Sequence, residues 1–214
     1  MSQTKLIDFK SEEKREIAEV FRAIPYMDKW IASVIENSIY TLVEEYYSPF
    51  HGGGLSVQYR TKYGIRDGEY KDWHSNGKLR YQRTYNNGKM CGEYKSWYDN
   101  GQLRLQSFIV NNMQHGECIG YHSNGQLDTQ STYSNGKMNG EYKRWYPNGQ
   151  LRIQSYAIDD KDNGPVFVWY PNGQLRLQTT YVDNKPHGEF KRWNEQGVLI
   201  EDKVYNNGVE IEVN

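Results

Sequence analysis

Long hydrophobic runs are missing from this 214-residue chain, and so is any signal-peptide pattern at its start. The expected location is therefore intracellular, in the cytoplasm or a virion. Aliphatic residues are scarce as well. Hydrophobic residues make up 36% of the chain, too few for a thick core, and 19 tyrosines stand in for them. An excess of one charge is lacking too: 26 basic residues meet 27 acidic ones, so no bulk field draws the chain to nucleic acid or to a membrane. Only two cysteines occur, Cys91 and Cys118, too few for a disulfide framework and consistent with a reducing compartment. The five histidines do not cluster. His74 and His122 stand two repeats apart, about 19 Å at the spacing of neighbouring strands, so no metal site and no cofactor is expected. No unique constellation of nucleophile, base and orienting group stands out, which points away from an enzyme.

What the chain does have is a period. Asn-Gly recurs at Asn76-Gly77, Asn100-Gly101, Asn124-Gly125, Asn148-Gly149 and Asn172-Gly173, with Gln196-Gly197 in the next place. Each step is 24 residues. Three positions before each Asn or Gln stands Trp73, Trp97, Tyr121, Trp145, Trp169 or Trp193, and Leu79, Leu103, Leu127, Leu151, Leu175 or Leu199 follows the turn. A half copy starting near Gly53 precedes six full copies. A fixed period of this length marks a repeat architecture.

Each copy carries two turn signals joined by short runs of Tyr, Trp, Leu, Ile and Thr, which predicts an antiparallel meander. Pro147 and Pro171 precede Asn-Gly, and proline has no N–H for the closing pair of a two-residue loop. A three-residue loop accommodates it. Parity of the strand ends extends that expectation to both turns of the copy. The resulting register sorts the side chains into two faces. A tryptophan face carries the Trp and Leu columns, Leu105, Ile153 and Leu177, Tyr85, Tyr133, Tyr181 and Tyr205, and the Glu and Lys of Gly-Glu-Tyr-Lys. A tyrosine–arginine face carries Tyr70, Tyr94, Tyr142 and Phe190, then Tyr98, Tyr146 and Tyr170, with Arg80, Arg104, Arg152 and Arg176 and the glutamines. The alternating Val209-Glu210-Ile211-Glu212-Val213 puts its apolar residues on the tryptophan face, which makes that face the expected buried one.

The pattern Gly-Glu-Tyr-Lys-x-Trp-Tyr-x-Asn-Gly-Gln-Leu, followed by Tyr-x-x-Gly-Lys, resembles the variant MORN repeat over roughly residues 52–214. The resemblance implies a mainly β fold, an elongated single-layer antiparallel meander of tandem hairpins used as a scaffold or binding surface, and it brings no catalytic residues. Arrays of this type occur in bacterial proteins, some labelled antitoxin components, and in large DNA viruses.

Residues 1–50 are expected to form a short α-helical cap or docking segment. One helix follows Ser11, with Ile17, Val20, Phe21 and Ile24 as its stripe. A second runs from about Met27 to Tyr46, with Trp30, Ile31, Val34, Ile35 and Leu42 on its apolar side. Residues 51–214 form the repeat sheet. The function expected is a non-enzymatic scaffold that binds another protein through the tyrosine–arginine face. The candidate contacts are Tyr70, Tyr94, Tyr98, Arg104, Tyr142, Tyr146, Arg152, Tyr170, Arg176 and Phe190. The competing expectations are a structural component of an assembly such as a virion, an antitoxin-like neutraliser, and a peripheral membrane or phosphoinositide binder. Nucleic acid is disfavoured as a partner, and self-association through the N-terminal helices stays open. Copies three and five depart most from the pattern, at Cys118-Ile119-Gly120 and at Pro165-Val166-Phe167-Val168, which makes them either drift or a contact zone.

Overall fold

The computed structural model describes residues 40–46 and 53–212. These form sixteen strands and no helix, in an all-β antiparallel meander. The chain divides into two compact units, Met1–Gly92 and Glu93–Asn214. The first unit contains β1 (Tyr40–Tyr46), β2 (Leu55–Lys62), β3 (Ile65–Trp73) and β4 (Leu79–Asn86), and β5 (Lys89–Trp97) leads out of it. The second contains β6 (Leu103–Val110), β7 (Met113–Tyr121), β8 (Leu127–Ser134), β9 (Lys137–Trp145) and β10 (Leu151–Ile158). It continues with β11 (Lys161–Asp162), β12 (Gly164–Trp169), β13 (Leu175–Val182), β14 (Lys185–Trp193), β15 (Leu199–Asn206) and β16 (Val209–Ile211).

The expected helix ending at Tyr46 is corrected by β1. Tyr40–Tyr46 is a strand whose partners run from Tyr40↔Lys62 to Tyr46↔Leu55. Tyr, Thr, Leu and Val in succession suit a pleated surface, and pairing with β2 satisfies a ladder that a helix would leave open. Leu42 is an exposed residue of this strand rather than part of a helical stripe. The remaining residues of both expected helices, including Trp30, Ile31, Val34 and Ile35, lie outside the described residues.

The two turns of a copy have different lengths. At the first, Tyr146 N donates to Gln150 O at 2.8 Å and Gly149 N donates to Tyr146 O at 2.9 Å, with Gly149 at φ +84°. This is the three-residue loop that Pro147 demands. At the second turn the three-residue expectation fails. Ser134 pairs with Lys137, and Asn135 and Gly136 sit at φ +51° and +82°. Positive φ at both central residues is a two-residue type I′ loop, whose twist matches that of the strands. Asn111-Asn112 and Asp183-Asn184 do the same.

Bulges reconcile the mixed loops with strand parity, which had been argued for unbroken strands. Leu151 pairs with Trp145 and Ile153 with Arg144, so Arg152 is one extra residue. Tyr133 pairs with Met138 but Ser131 with Tyr142, so Thr132 faces Asn139, Gly140 and Glu141, an excess of two. The same two-residue excess recurs opposite Arg60, Phe108 and Thr180. The Gly of Gly-Glu-Tyr-Lys takes positive φ at each: Gly68 +97°, Gly116 +75°, Gly140 +129°, Gly188 +81°. Only glycine adopts such values without strain.

Bulges also re-sort the faces. Tyr85 meets Tyr70 ring to ring at 6.1 Å, so the two share a side. Ile153 pairs with Val168 and Leu177 with Arg192, joining Leu105, Tyr133 and Tyr181 to the tyrosine side. The glutamines leave it: Gln82, Gln130 and Gln154 donate to Glu69, Glu117 and Glu141 at 2.6–2.8 Å. Burial follows this sorting, and the tryptophan face is not the buried one. The deepest positions, Tyr70, Tyr85, Ile109, Cys118, Ala157 and Thr179, are on the tyrosine side, whereas every described tryptophan is half-buried. The apolar residues of β16 do fall opposite the tyrosine side: Val209 pairs with Asn206 and Ile211 with Val204, while Glu210 pairs with Tyr205.

Candidate interaction surface

In the second unit, the expected contact residues separate into braces and a lining. Tyr98, Tyr146 and Tyr170 close the three-residue loops. Their hydroxyls donate to the carbonyls of Tyr121, Trp169 and Trp193 in the next copy, at 2.7, 2.9 and 3.0 Å. Arg152 and Arg176, placed by one-residue bulges, and Arg104 in the same column lie 5.4–5.8 Å over these rings. His122 stands in the same column, its Nε2 3.0 Å from Trp145 O. The loop asparagines form a parallel staple: Asn100, Asn124, Asn148 and Asn172 each donate Nδ2 to a carbonyl of the following loop at 2.8–3.1 Å. Asn148 Oδ1 also accepts from Gln150 N at 3.1 Å.

These contacts join consecutive copies. Asn148→Ala removes two hydrogen bonds and is expected to destabilise by roughly 1–2 kcal/mol, and Tyr146→Phe by about 1 kcal/mol. Urea unfolding midpoints measure both. Unchanged midpoints would show the staples to be incidental.

The lining consists of Tyr142 on β9, Phe190 on β14 and the small column Ser107, Ser131, Ser155 and Thr179. Each small residue faces a larger one across the ladder, as in Ser131↔Tyr142 and Thr179↔Phe190. Burial pushes the Tyr142 phenol above its ordinary range, against the pull of Arg144. Phe190 meets Tyr205 edge to face at 5.6 Å. Tyr94 lies in β5, and Tyr70 belongs to the first unit.

Copy five opens a depression in this lining. Val166 stands where copies four and six have Tyr142 and Phe190, Val168 where they have Arg144 and Arg192, and Ala157, at the end of copy four, where copies three and five have Tyr133 and Tyr181. With the large groups absent, a space of about 420 Å³ forms between Tyr142 and Tyr181, floored by Ser155 and Ala157 and edged by Asp160 and Asp162. Ala157 is 3% exposed. Pro165 contributes by lacking an N–H: only Ile153↔Val168 and Gln154↔Phe167 pair between β10 and β12. Copy three makes a milder change, with the Cys118 thiol buried and pushed above its ordinary range by that burial. Both cysteines are free thiols.

The opposite side is polar in most copies. Lys71, Lys95, Lys143 and Lys191 pair with the Glu two residues earlier at 2.7–2.9 Å. The hydrogen bond from Lys143, with that from Gln154, holds the Glu141 carboxyl below the usual range. Phe167 replaces this lysine in copy five and stacks on Trp169 at 5.9 Å.

Sequence reasoning found the departures of copies three and five, at Cys118-Ile119-Gly120 and Pro165-Val166-Phe167-Val168, and left them open as drift or a contact zone. The usable signal was the simultaneous loss of three large residues that share one side.

Among curated proteins, none matches the chain. The family model for the MORN repeat variant matches six times, at residues 66–87, 90–111, 114–135, 138–158, 162–183 and 186–207. These matches span more than half of the chain and fall on the hairpins described above, each starting just after a type I′ loop and ending on or immediately before the next. With one hairpin per match and an unbroken 24-residue step, the chain belongs to the MORN repeat variant family.

Proposed function

We propose that this protein is a non-enzymatic scaffold and that it binds another protein through the tyrosine side of its second unit. The observation that carries this reading is the copy-five depression. Three positions that hold Tyr, Tyr or Phe, and Arg in flanking copies hold Ala157, Val166 and Val168, and all three line the same 420 Å³ space. Copy five also departs on the opposite side, at Pro165 and Phe167, but these three changes meet at one place. An apolar floor edged by carboxylates fits an apolar side chain with a basic or amide neighbour.

The test is to restore the pattern of the flanking copies. Val166→Tyr with Val168→Arg places in copy five the residues that copy four carries at Tyr142 and Arg144. The fold accommodates both side chains there, so the thermal midpoint should stay close to that of the unchanged protein. The depression is filled, so recovery of a copurified protein from the native source should fall at least about tenfold. Equal recovery by both forms would remove the depression as the binding site. Recovery of lipid or nucleic acid with no protein would overturn the scaffold reading.

A further inference from the structure

The first unit breaks the repeat pattern in the opposite sense. The column that holds Ser107, Ser131, Ser155 and Thr179 in the second unit holds Arg83 in the first. The column that holds Gln114, Met138, Asp162 and Pro186 holds Arg66. In this array the two arginines occur together only in copy one.

Their surroundings are aromatic. Arg83 lies 4.2 Å over the Tyr70 ring and 5.8–5.9 Å from those of Tyr81 and Tyr85. Arg66 lies 5.2, 5.4 and 5.6 Å from the rings of Tyr59, Tyr70 and Tyr85. Tyr59 stacks on Tyr70 at 5.7 Å, so both guanidiniums share one cage. Tyr70 is 7% exposed and Arg66 is exposed, which makes the cage a floor with an open mouth.

Among the described residues neither arginine is in an ion pair. The nearby carboxylate Asp72 is taken by Arg80, and Asp67 accepts from Asn87 N. Arg83 Nε is buried with no hydrogen-bond partner. Cations held only by ring faces keep their in-plane N–H edges free. A partly desolvated guanidinium without a counter-charge gains most from an incoming planar oxyanion.

We propose that Arg66 and Arg83, in the cage of Tyr59, Tyr70 and Tyr85, form a recognition site for the carboxylate side chain of an acidic protein segment. The planar carboxylate matches the guanidinium edge, and the ring edges around it suit the methylene stem beneath. This site goes beyond the scaffold reading and does not depend on the depression in the second unit.

The experiment is a fluorescence-anisotropy titration of the full chain with a labelled peptide of alternating aspartate and serine, against the same peptide with asparagine. The aspartate peptide should bind at low salt, and the asparagine peptide at least about tenfold more weakly. Arg66→Gln and Arg83→Gln should each weaken aspartate-peptide binding by a similar factor. Arg83→Lys should weaken it too, since it keeps the charge and loses the fork. Should Arg83→Gln disturb the fold, Arg66→Gln decides alone, because its side chain is at the surface.

Equal binding of the two peptides overturns the proposal, and so does unchanged binding by Arg66→Gln. Two further arms identify other anions. Displacement by inorganic phosphate at matched concentration would reassign the site to phosphate. Arg66-dependent pelleting with phosphatidylserine vesicles, without peptide binding, would reassign it to a lipid surface. The titration uses no natural partner, so its failure and that of the copurification are read separately.

Discussion

Replacing Gly140 by valine is expected to lower the thermal midpoint by roughly 6–12 °C, following from a cost of about 3 kcal/mol at 2–4 °C per kcal/mol for a chain of this size. Gly140 sits at φ +129°, where a β-branched residue is an outlier. A Cβ built there meets Thr132 Cβ at 3.2 Å, tighter than an ordinary contact. Two penalties therefore act at one point: backbone strain and crowding against the strand across the ladder. Relief by flattening the bulge is closed off, because the two extra residues of β9 must be absorbed between Ser131↔Tyr142 and Tyr133↔Met138. Gly54→Ala is the control, since Gly54 has no positive φ and nothing within 4 Å of an added Cβ. Differential scanning calorimetry reads both. A Gly140→Val protein as stable as the unchanged one would mean that the bulge is not obligatory.

Asp72→Ala is expected to destabilise by about 2 kcal/mol, the scale of a charge-assisted pair of hydrogen bonds. Asp72 is 5% exposed and holds Arg80 with both oxygens, Oδ1 to Nε at 2.5 Å and Oδ2 to Nη2 at 2.7 Å. The figure stays below that for a fully buried pair because the Arg80 side chain is 41% exposed and hydrates once released. A double-mutant cycle with Arg80→Ala isolates the coupling. In the second unit Arg144, in the column of Asp72, instead meets Asp128 on the preceding strand at 3.2 Å, so the Asp72–Arg80 pairing is not repeated there. Asp72→Arg with Arg80→Asp keeps opposite charges at the two positions and should recover part of the loss. Additive single effects in urea unfolding would show that the two side chains do not depend on each other.

The repeat, its hairpins and the three-residue loop at Pro147 were legible in the sequence, because each rests on local chemistry: a period, a missing N–H, a glycine at αL. The type I′ loops were less legible, because parity was counted on unbroken strands. Gly140 and Arg152 stand at the bulges, but a glycine or an arginine in a repeated column does not by itself say that a bulge sits there. The face assignment inherited that error and moved Tyr85, Ile153 and Leu177 to the wrong side. Tyr40–Tyr46 failed for another reason: Leu42 and Val43 fit a helical stripe and a strand equally, and only the partner strand β2 decides between them. For the candidate sites, attention to the columns that repeat hid those that do not. Arg66 and Arg83 were each an unrepeated residue, visible by aligning the copies, but their shared cage needed the fold.

The loop staples all span 23 residues, from Tyr98 to Tyr121, Asn124 to Pro147 and Tyr170 to Trp193. Each copy thus presents the same acceptor to the copy before it and the same donors to the copy after. Loss or duplication of one whole 24-residue unit leaves every junction chemically familiar, whereas a change of any other length puts the acceptor carbonyls where the Asn and Tyr donors no longer reach. Genes of this kind can lengthen and shorten by unequal recombination in whole copies without passing through an unfolded ancestor, and single copies are then free to diverge, as copies one and five have done.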